Sequence, residues 1–330
     1  MDIRRVFIND QFKYIDCKTR KRIKDRQTLK RIRNLRIPPA YMKVKITKKK
    51  DDKVQAIGFD LKGRKQYIYN NEFVQEQQEN KFKELIQFGK KIKRIRRDYR
   101  RTLESKLPYH NKKKIISMIL FLLDVCKFRV GTEEYKKKYK TYGATTISKD
   151  HILFRDGEVE ISFIGKKSVK NTSIIKNENV IKLLGELCRR NRHGEYIFYY
   201  KDDKNGEINN ITAQQITAHL KKYHSDFSPK MFRTWNGNSV LLKYLISKGE
   251  PESLKEIKRN LIDGLKKTAD ELHNTMAVSK KSYCNSEIYT TYLNENDKFF
   301  EFIEKNKKEN GENKGTDRLL TLFLIKYYRK

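Results

Sequence analysis

The sequence predicts an α+β protein. A small β-rich N-terminal domain, residues 1–78, precedes a larger, mostly α-helical domain, residues 79–330, that carries a small antiparallel sheet. Three observations predict this. The β-prone runs YMKVKI, VQAIGF and KQYIYN sit close together near the N-terminus. From about Gln75 the apolar residues change to helical spacing. Further on, HILFRDGEVEISFIG places two strands around Asp156-Gly157, a hairpin signal.

In the first domain VQAIGF and KQYIYN are separated by DLKGR, a turn containing Gly63. In NKFKELIQFGKKIKRIRRDYRRTLESKL, Phe82, Leu85, Ile86, Ile92 and Ile95 form an apolar stripe, and Pro108 ends the helix. NKKKIISMILFLLDVCKFRV is apolar on most faces, so it predicts a central helix with Arg129 at its end. Its apolar run IISMILFLLDVC is too short to span a bilayer and is interrupted by Asp124. After the Asp156-Gly157 hairpin, GKKSVKN turns into a third strand, NTSIIK, which puts Lys166 and Lys167 on a second hairpin tip. ENVIKLLGELCRR and ITAQQITAHLKKY are helices, the second opened by Thr212 and Gln215 at capping-box spacing. SPKMFRTW puts Ser228 at an N-cap, Pro229 at the first helical position and Arg233 in the second turn. Gly249 with Pro251 closes that helix. ESLKEIKRNLIDGLKKTADELHN ends at His273, NKKENGENKGT is a polar loop, and DRLLTLFLIKYY is a final amphipathic helix.

The net charge of +35, from 76 Lys+Arg against 41 Asp+Glu, calls for a polyanion. Nucleic acid is the first candidate and an anionic membrane surface the second. Cys17, Cys126, Cys188 and Cys284 form no C-x-x-C pair, which fits reduced intracellular thiols better than a disulfide frame or a zinc site. MDIRRVFIND lacks the apolar run of a signal peptide. No cluster of Asp, Glu and His has metal-ligand spacing, and no G-x-x-x-x-G-K-[ST] loop is present, so neither a metal nor ATP is expected as cofactor.

The stretch HNTMAVSKKSY separates His273 from Tyr283 by ten positions. On one unbroken helix that is a rise of about 15 Å, so the two converge only if the chain bends. HNT supplies a helix end. A DNA-packaging protein would account for the charge but not for the set Arg129, Lys166, Arg233, His273 and Tyr283. Transesterification at a DNA phosphodiester uses such a set. A phenol, with a pKa of about 10, needs cationic donors on the nonbridging oxygens. Two arginines supply them in bidentate fashion, a histidine N–H adds a third contact, and a lysine on a hairpin tip protonates the departing oxygen.

The segments IPPAY, IGFDLKGRKQYIY, FRVGTEEY, TYGATTI, FIGKKS, SPKMFRTW and HNTMAVSKKSY run in this order from about residue 37 to 283. Together they resemble a small type IB DNA topoisomerase of the poxvirus and bacterial kind. The resemblance implies the catalytic core shared by tyrosine recombinases and these topoisomerases. It also implies relaxation of supercoiled duplex DNA, without ATP or metal, through a 3′-phosphotyrosyl intermediate. Tyr283 is implied as nucleophile, Arg129, Arg233 and His273 as holders of the scissile phosphate, and Lys166, directly after the glycine, as general acid in preference to Lys167. Gln66, Tyr67 and Tyr69 match positions that touch bases, and Tyr135 one that touches the backbone; Arg64 and Lys65 suit phosphates. Tyr67 and Tyr69 alternate with Ile68, so their shared face is either core or DNA-facing. Met276 stands where the family usually has proline, so a looser loop after His273 is expected. Ser279, Lys280 and Lys281 receive no role. The nearest rival, a tyrosine site-specific recombinase, normally carries histidine three residues before its second arginine, where this chain has Lys230. The implied partner is double-stranded DNA and not a membrane, gripped by a monomer closing as a clamp. The implied location is intracellular, with a large DNA virus favoured over a bacterium.

Overall fold

The computed structural model describes residues 1–190, 195–202, 205–308 and 315–328. The chain divides into two units, Met1–Lys81 and Phe82–Lys330.

The first unit contains β1 (Ile3–Ile8), β2 (Gln11–Asp16), α1 (Arg26–Asn34), β3 (Met42–Ile46), β4 (Val54–Phe59) and β5 (Lys65–Tyr69). The strands form one antiparallel sheet in the order β2-β1-β3-β4-β5. Ile3, Val44, Ile46 and Ala56 of the sheet enclose a small core with Ile32 of α1. The β1–β2 hairpin turns at Asn9 and Asp10, both left-handed at φ 50° and 54°, a conformation these two residue types tolerate well. Asp25 caps α1 by accepting from the Thr28 N–H at 2.7 Å. The β4–β5 turn closes through Gly63 N–H on the Asp60 carbonyl, 2.9 Å, with Gly63 at φ 70°.

The division between the units falls inside α2 (Asn71–Glu104). That helix begins earlier than the NKFKEL pattern indicates, because the Asn70 side chain accepts from the Glu72 N–H at 2.8 Å and starts it. Next come α3 (Lys112–Asp124) and α4 (Glu133–Tyr139). A three-stranded antiparallel sheet follows in sequence order, β6 (Ile152–Arg155), β7 (Glu158–Ile164) and β8 (Lys170–Ile175). After α5 (Glu178–Arg190), the short strands β9 (Tyr199–Lys201) and β10 (Ile208–Asn210) pair. Helices α6 (Ala213–Leu220), α7 (Lys230–Ser247), α8 (Leu254–Glu271), α9 (Met276–Ser282), α10 (Ser286–Asn294), α11 (Asn296–Lys308) and α12 (Thr316–Tyr328) complete the chain. Of the expected polar loop, residues 309–314 lie outside the described residues. The four cysteines are unbridged. No described helix is long and apolar enough to cross a membrane.

Two helices differ from expectation in ways that matter for the site. α3 stops at Asp124, and Lys127 is left-handed at φ 56°, so Arg129 lies in a non-helical segment beyond the helix and not at its end. α7 begins at Lys230 with Pro229 as its capping residue, one position later than the Ser228 cap expected.

The centre of the second unit is polar as well as apolar. Every residue of α3 from Ile115 to Asp124 is buried. The Asp124 carboxylate accepts from Arg96 Nε at 2.7 Å, from Arg96 Nη2 at 2.8 Å and from the Tyr99 hydroxyl at 2.8 Å. Asn236 Nδ2 donates to the Asp124 carbonyl at 2.6 Å. Arg96 also pairs with Asp317 of α12, whose other oxygen accepts from the Trp235 indole at 2.7 Å. Burial works against the Arg96 charge, yet Asp124 and Asp317 hold its pKa above the ordinary arginine value. Burial, followed by the Asp124 charge, pushes the Tyr99 phenol well up, so it stays a donor. This network joins α2, α3, α7 and α12 next to the α7 turn that carries Arg233.

Removing one partner of a buried ion pair strands the other, at a cost of about 3–5 kcal/mol. Asp124→Ala is therefore expected to destabilise the second unit by about that amount. Denaturant unfolding followed by fluorescence of Trp235, the single tryptophan, measures it. A loss under about 1 kcal/mol, the size of one ordinary hydrogen bond, would show that the network is dispensable.

Candidate active site

Arg233 points from the second turn of α7 into the interior and is 2% exposed. Its guanidinium is clamped by carbonyls from two separate segments: Nη1 donates to Lys127 O and Nη2 to Leu272 O, the latter at 2.6 Å. Its Nε is buried with no partner. Burial, then the charge of Arg129, pulls the guanidinium pKa down to about 10, so it remains charged at neutral pH. The guanidinium carbon lies 5.1 Å from the centre of the Tyr283 ring.

Tyr283 reaches this position because the chain bends, as HNT suggests. α8 ends at Glu271 and His273 turns left-handed at φ 48°. Thr275 then caps α9, its hydroxyl accepting from the Val278 N–H at 3.3 Å. Met276, where the resembled family usually has proline and a looser loop was expected, is the first residue of this capped helix. Tyr283 is the residue that ends α9, its N–H on Ser279 O at 3.0 Å. Ser279, given no role from sequence, is completely buried beneath it. From α7, Asn238 Nδ2 donates to Tyr283 O at 2.8 Å and Asn238 Oδ1 accepts from the Asn285 N–H at 2.6 Å. Gly237 sits in the interior of α7, where glycine costs about 1 kcal/mol relative to alanine. A Cβ there would lie 3.3 Å from Tyr283 Cβ and 3.1 Å from Leu272 Cδ1, so the glycine is the seat of the tyrosine. Tyr283 is 8% exposed. Burial raises its phenol pKa, but the charges of Arg233 and Arg129 outweigh burial and hold it below the ordinary tyrosine value.

Arg129 is set by the FRVG and YGATT segments packing backbone to backbone. The Ala144 N–H donates to Arg129 O at 2.8 Å. A Cβ on Gly143 would come within 2.5 Å of Gly131 N and 2.6 Å of Arg129 O, so no larger residue fits without moving the arginine's own backbone. The Arg129 side chain donates from Nη2 to Asn274 Oδ1 at 2.7 Å. Asn274 Nδ2 is buried and has no partner.

His273 is adjacent to Asn274 but lines a cavity of about 570 Å³, together with Cys126, Lys127, Ser173 and Glu271. Its ring lies 6.3 Å from Phe128. Burial, then the charges of Arg233, Lys127 and Arg129, lowers its pKa, so the imidazole is neutral at neutral pH. Lys166 is exposed in the single turn Lys166–Ser168 between β7 and β8. Lys167 and Ser168 are left-handed at φ 64° and 59°. The tip is anchored by the Gly165 N–H and Asn171 Nδ2, both 2.8 Å from Val169 O. The structure thus brings Arg129, Arg233 and Tyr283 together, with His273 lining the adjacent cavity within the field of both arginines and Lys166 on its own tip. Asn274 and Asn238 were missed from sequence.

In the first unit Tyr67 and Tyr69 are 45% and 42% exposed on the edge strand β5, so their face is not core. Their rings stack at 6.2 Å, and Lys65 Nζ lies 5.2 Å over Tyr67. Asp60 accepts from Arg64 Nε at 2.8 Å and Gln66 Nε2 at 3.0 Å. The bond from Arg64 is the main reason its carboxyl is held down to about 2. Tyr135 is exposed on α4, its ring 5.6 Å from Tyr139. Among the described residues no group of three His, Cys, Asp or Glu side chains has the geometry to hold a metal ion.

Known proteins resemble the chain over most of its length. Residues 61–310 match the family profile described as eukaryotic DNA topoisomerase I, catalytic core. Residues 11–60 match that of the bacterial DNA topoisomerase IB N-terminal domain. The chain is 34% identical over 313 residues to DNA topoisomerase 1B of Acanthamoeba polyphaga mimivirus, covering 92% of this chain and 88% of the relative. It is 22% identical over 251 residues to DNA topoisomerase 1B of vaccinia virus strain Copenhagen, covering 76% and 75%. It is 26% identical over 209 residues to DNA topoisomerase 1 of Mycosarcoma maydis, covering 58% and 20%. The chain belongs to the type IB DNA topoisomerase family. It is an enzyme of the DNA topoisomerase class with the α+β fold expected.

Proposed function

We propose that this enzyme relaxes supercoiled duplex DNA, without ATP or metal, by transient cleavage of one strand through Tyr283. The Tyr283 phenol loses its proton to solvent as its oxygen attacks the phosphorus, a 3′-phosphotyrosyl bond forms, and the 5′ oxygen leaves and takes a proton from Lys166. Attack by the 5′-hydroxyl reverses the step. The observation that carries this reading is the Tyr283 ring 5.1 Å from the Arg233 guanidinium, with its phenol held below the ordinary value. Fixed cations that make the phenol more acidic ease the loss of its proton as it attacks. Arg233 has five N–H donors, of which two serve carbonyls, so the rest remain for nonbridging phosphate oxygens. Arg129 gives one bond to Asn274 and keeps its fork for the same phosphate. The third donor in this proposal is His273, which feels the charges of both Arg233 and Arg129, with the unpartnered Asn274 Nδ2 as the competing candidate. Tyr67, Tyr69, Lys65, Arg64 and Gln66 form a stacking and hydrogen-bonding strip for duplex DNA, and Tyr135 a backbone contact. The protein acts as a monomer whose two units clamp the duplex, and it works where such DNA is held, inside a cell or virion.

Plasmid relaxation in EDTA without ATP tests the reaction. Wild type is expected to relax the plasmid, and Tyr283→Phe to bind duplex but yield no covalent adduct on denaturing gels. An adduct in Tyr283→Phe would move the nucleophile to another residue.

For the general acid, Lys166→Ala should cleave ordinary DNA slowly and regain most of its rate on a 5′-bridging phosphorothiolate strand, whose thiolate leaves without a proton. Lys167→Ala is the control. Rescue of Lys167→Ala instead would shift the assignment by one residue.

Losing one donor to a developing oxyanion costs about 10²–10³ in rate. His273→Ala should show that loss in single-turnover cleavage, and Asn274→Ala should lose less than about tenfold. The reverse ranking would hand the third contact to Asn274.

A further inference from the structure

The two segments that clamp Arg233 are tied to each other on both sides of it. On one side Lys127 Nζ and Glu271 Oε2 form an ion pair at 2.8 Å. On the other Arg129 bonds Asn274 at 2.7 Å. Arg233 lies across the middle, with one N–H on Lys127 O and another on Leu272 O. Each segment also turns through a left-handed residue, Lys127 at φ 56° and His273 at φ 48°. Such residues persist only where surrounding contacts fix them. Phe128 and Leu272 are fully buried and anchor the apolar side of each turn. On the cavity side, Lys127, Glu271 and His273 share the lining with Cys126, Thr172 and Ser173. There the Lys127–Glu271 pair is the only ion pair that joins the two turns among the described residues. Lys127 Nζ also reaches Val125 O at 3.4 Å, within its own segment.

We propose that the Lys127–Glu271 ion pair is a positioning device for strand cleavage: it sets the separation of the Lys127 and Leu272 carbonyls, and with it the angle at which Arg233 meets Tyr283 and the phosphate. Neither side chain touches the reacting atoms in this proposal, which rests on the reading that Arg233 serves the cleavage step. The pair is partly solvent-exposed, with side chains 19% and 39% accessible, so it adds little to global stability. Its effect falls on rate, because a small misplacement of a transition-state contact is costly.

The test uses the full-length protein with Glu271→Gln, Lys127→Gln, the exchanged pair Lys127→Glu with Glu271→Lys, and Arg233→Ala alone and with Glu271→Gln. Cleavage of a duplex oligonucleotide is measured at saturating DNA in single turnover, alongside equilibrium DNA binding and the melting temperature. Each single change is expected to slow saturated cleavage by about tenfold while duplex affinity and melting change little. The exchanged pair should recover most of the rate. In the Arg233→Ala background Glu271→Gln should add no further loss, because both act through one guanidinium. If Glu271→Gln only tightens DNA binding and leaves the saturated rate intact, the pair is surface charge and the proposal fails. If the single variants lose rate in step with melting temperature and the exchange restores neither, the role is merely structural and the proposal also fails. A normal rate in Arg233→Ala would instead overturn the assignment of Arg233 itself.

Discussion

The site depends on one buried cation. A guanidinium 2% exposed is expensive to desolvate, and Arg233 is tolerated because two main-chain carbonyls from different parts of the chain accept from it. Those same carbonyls fix the turns that deliver Arg129 on one side and Asn274 and Tyr283 on the other. Satisfying the charge and assembling the proposed catalytic groups are therefore one problem with one geometric solution. The remaining donor capacity of the arginine is what the proposed reaction would use for the phosphate.

A second, half-buried arginine supports the first. Arg96 neutralises Asp124 at the end of α3, and Asn236 on α7 holds the carbonyl of that same aspartate. Thr234, Trp235 and Asn236 follow Arg233 directly, so the helix turn that carries the site is bolted to α2, α3 and α12 through polar contacts as well as apolar packing. Asp124, which looks like an interruption of an apolar run, is the point where this network meets the core.

Much of this could be read from residue pattern. The strands β3 to β5, the two hairpin tips, the helices α5 to α8 and the terminal helix all follow from alternation, helical spacing and capping residues. The missed elements have weak local signals. In α1 and in the β1–β2 hairpin charged residues blur the period, and β9 and β10 are three residues each, too short to show one. The site errors share a cause. KFRV continues the apolar texture of α3, and nothing in it announces a left-handed Lys127, so Arg129 was expected at a helix end. HNT signals a break but not which neighbour faces which way. His273 lines the cavity and Asn274 meets Arg129. Asn238 has the same kind of invisibility: an asparagine inside a helix identifies itself only through the distant chain it holds.

The hold of Asn238 on the backbone at Tyr283 and Asn285 has a mechanical meaning. In the proposed reaction a free DNA end swivels while the other end hangs from a tyrosine side chain. Torque and drag on that strand would pass through the tyrosine's Cα into its main chain. Two hydrogen bonds from a fully buried asparagine carry that load into α7, and from there into the Arg96 and Asp124 network at the centre of the unit. In that reaction the residue that bears the strain is braced against a helix of the core, which would keep the severed end in register for rejoining.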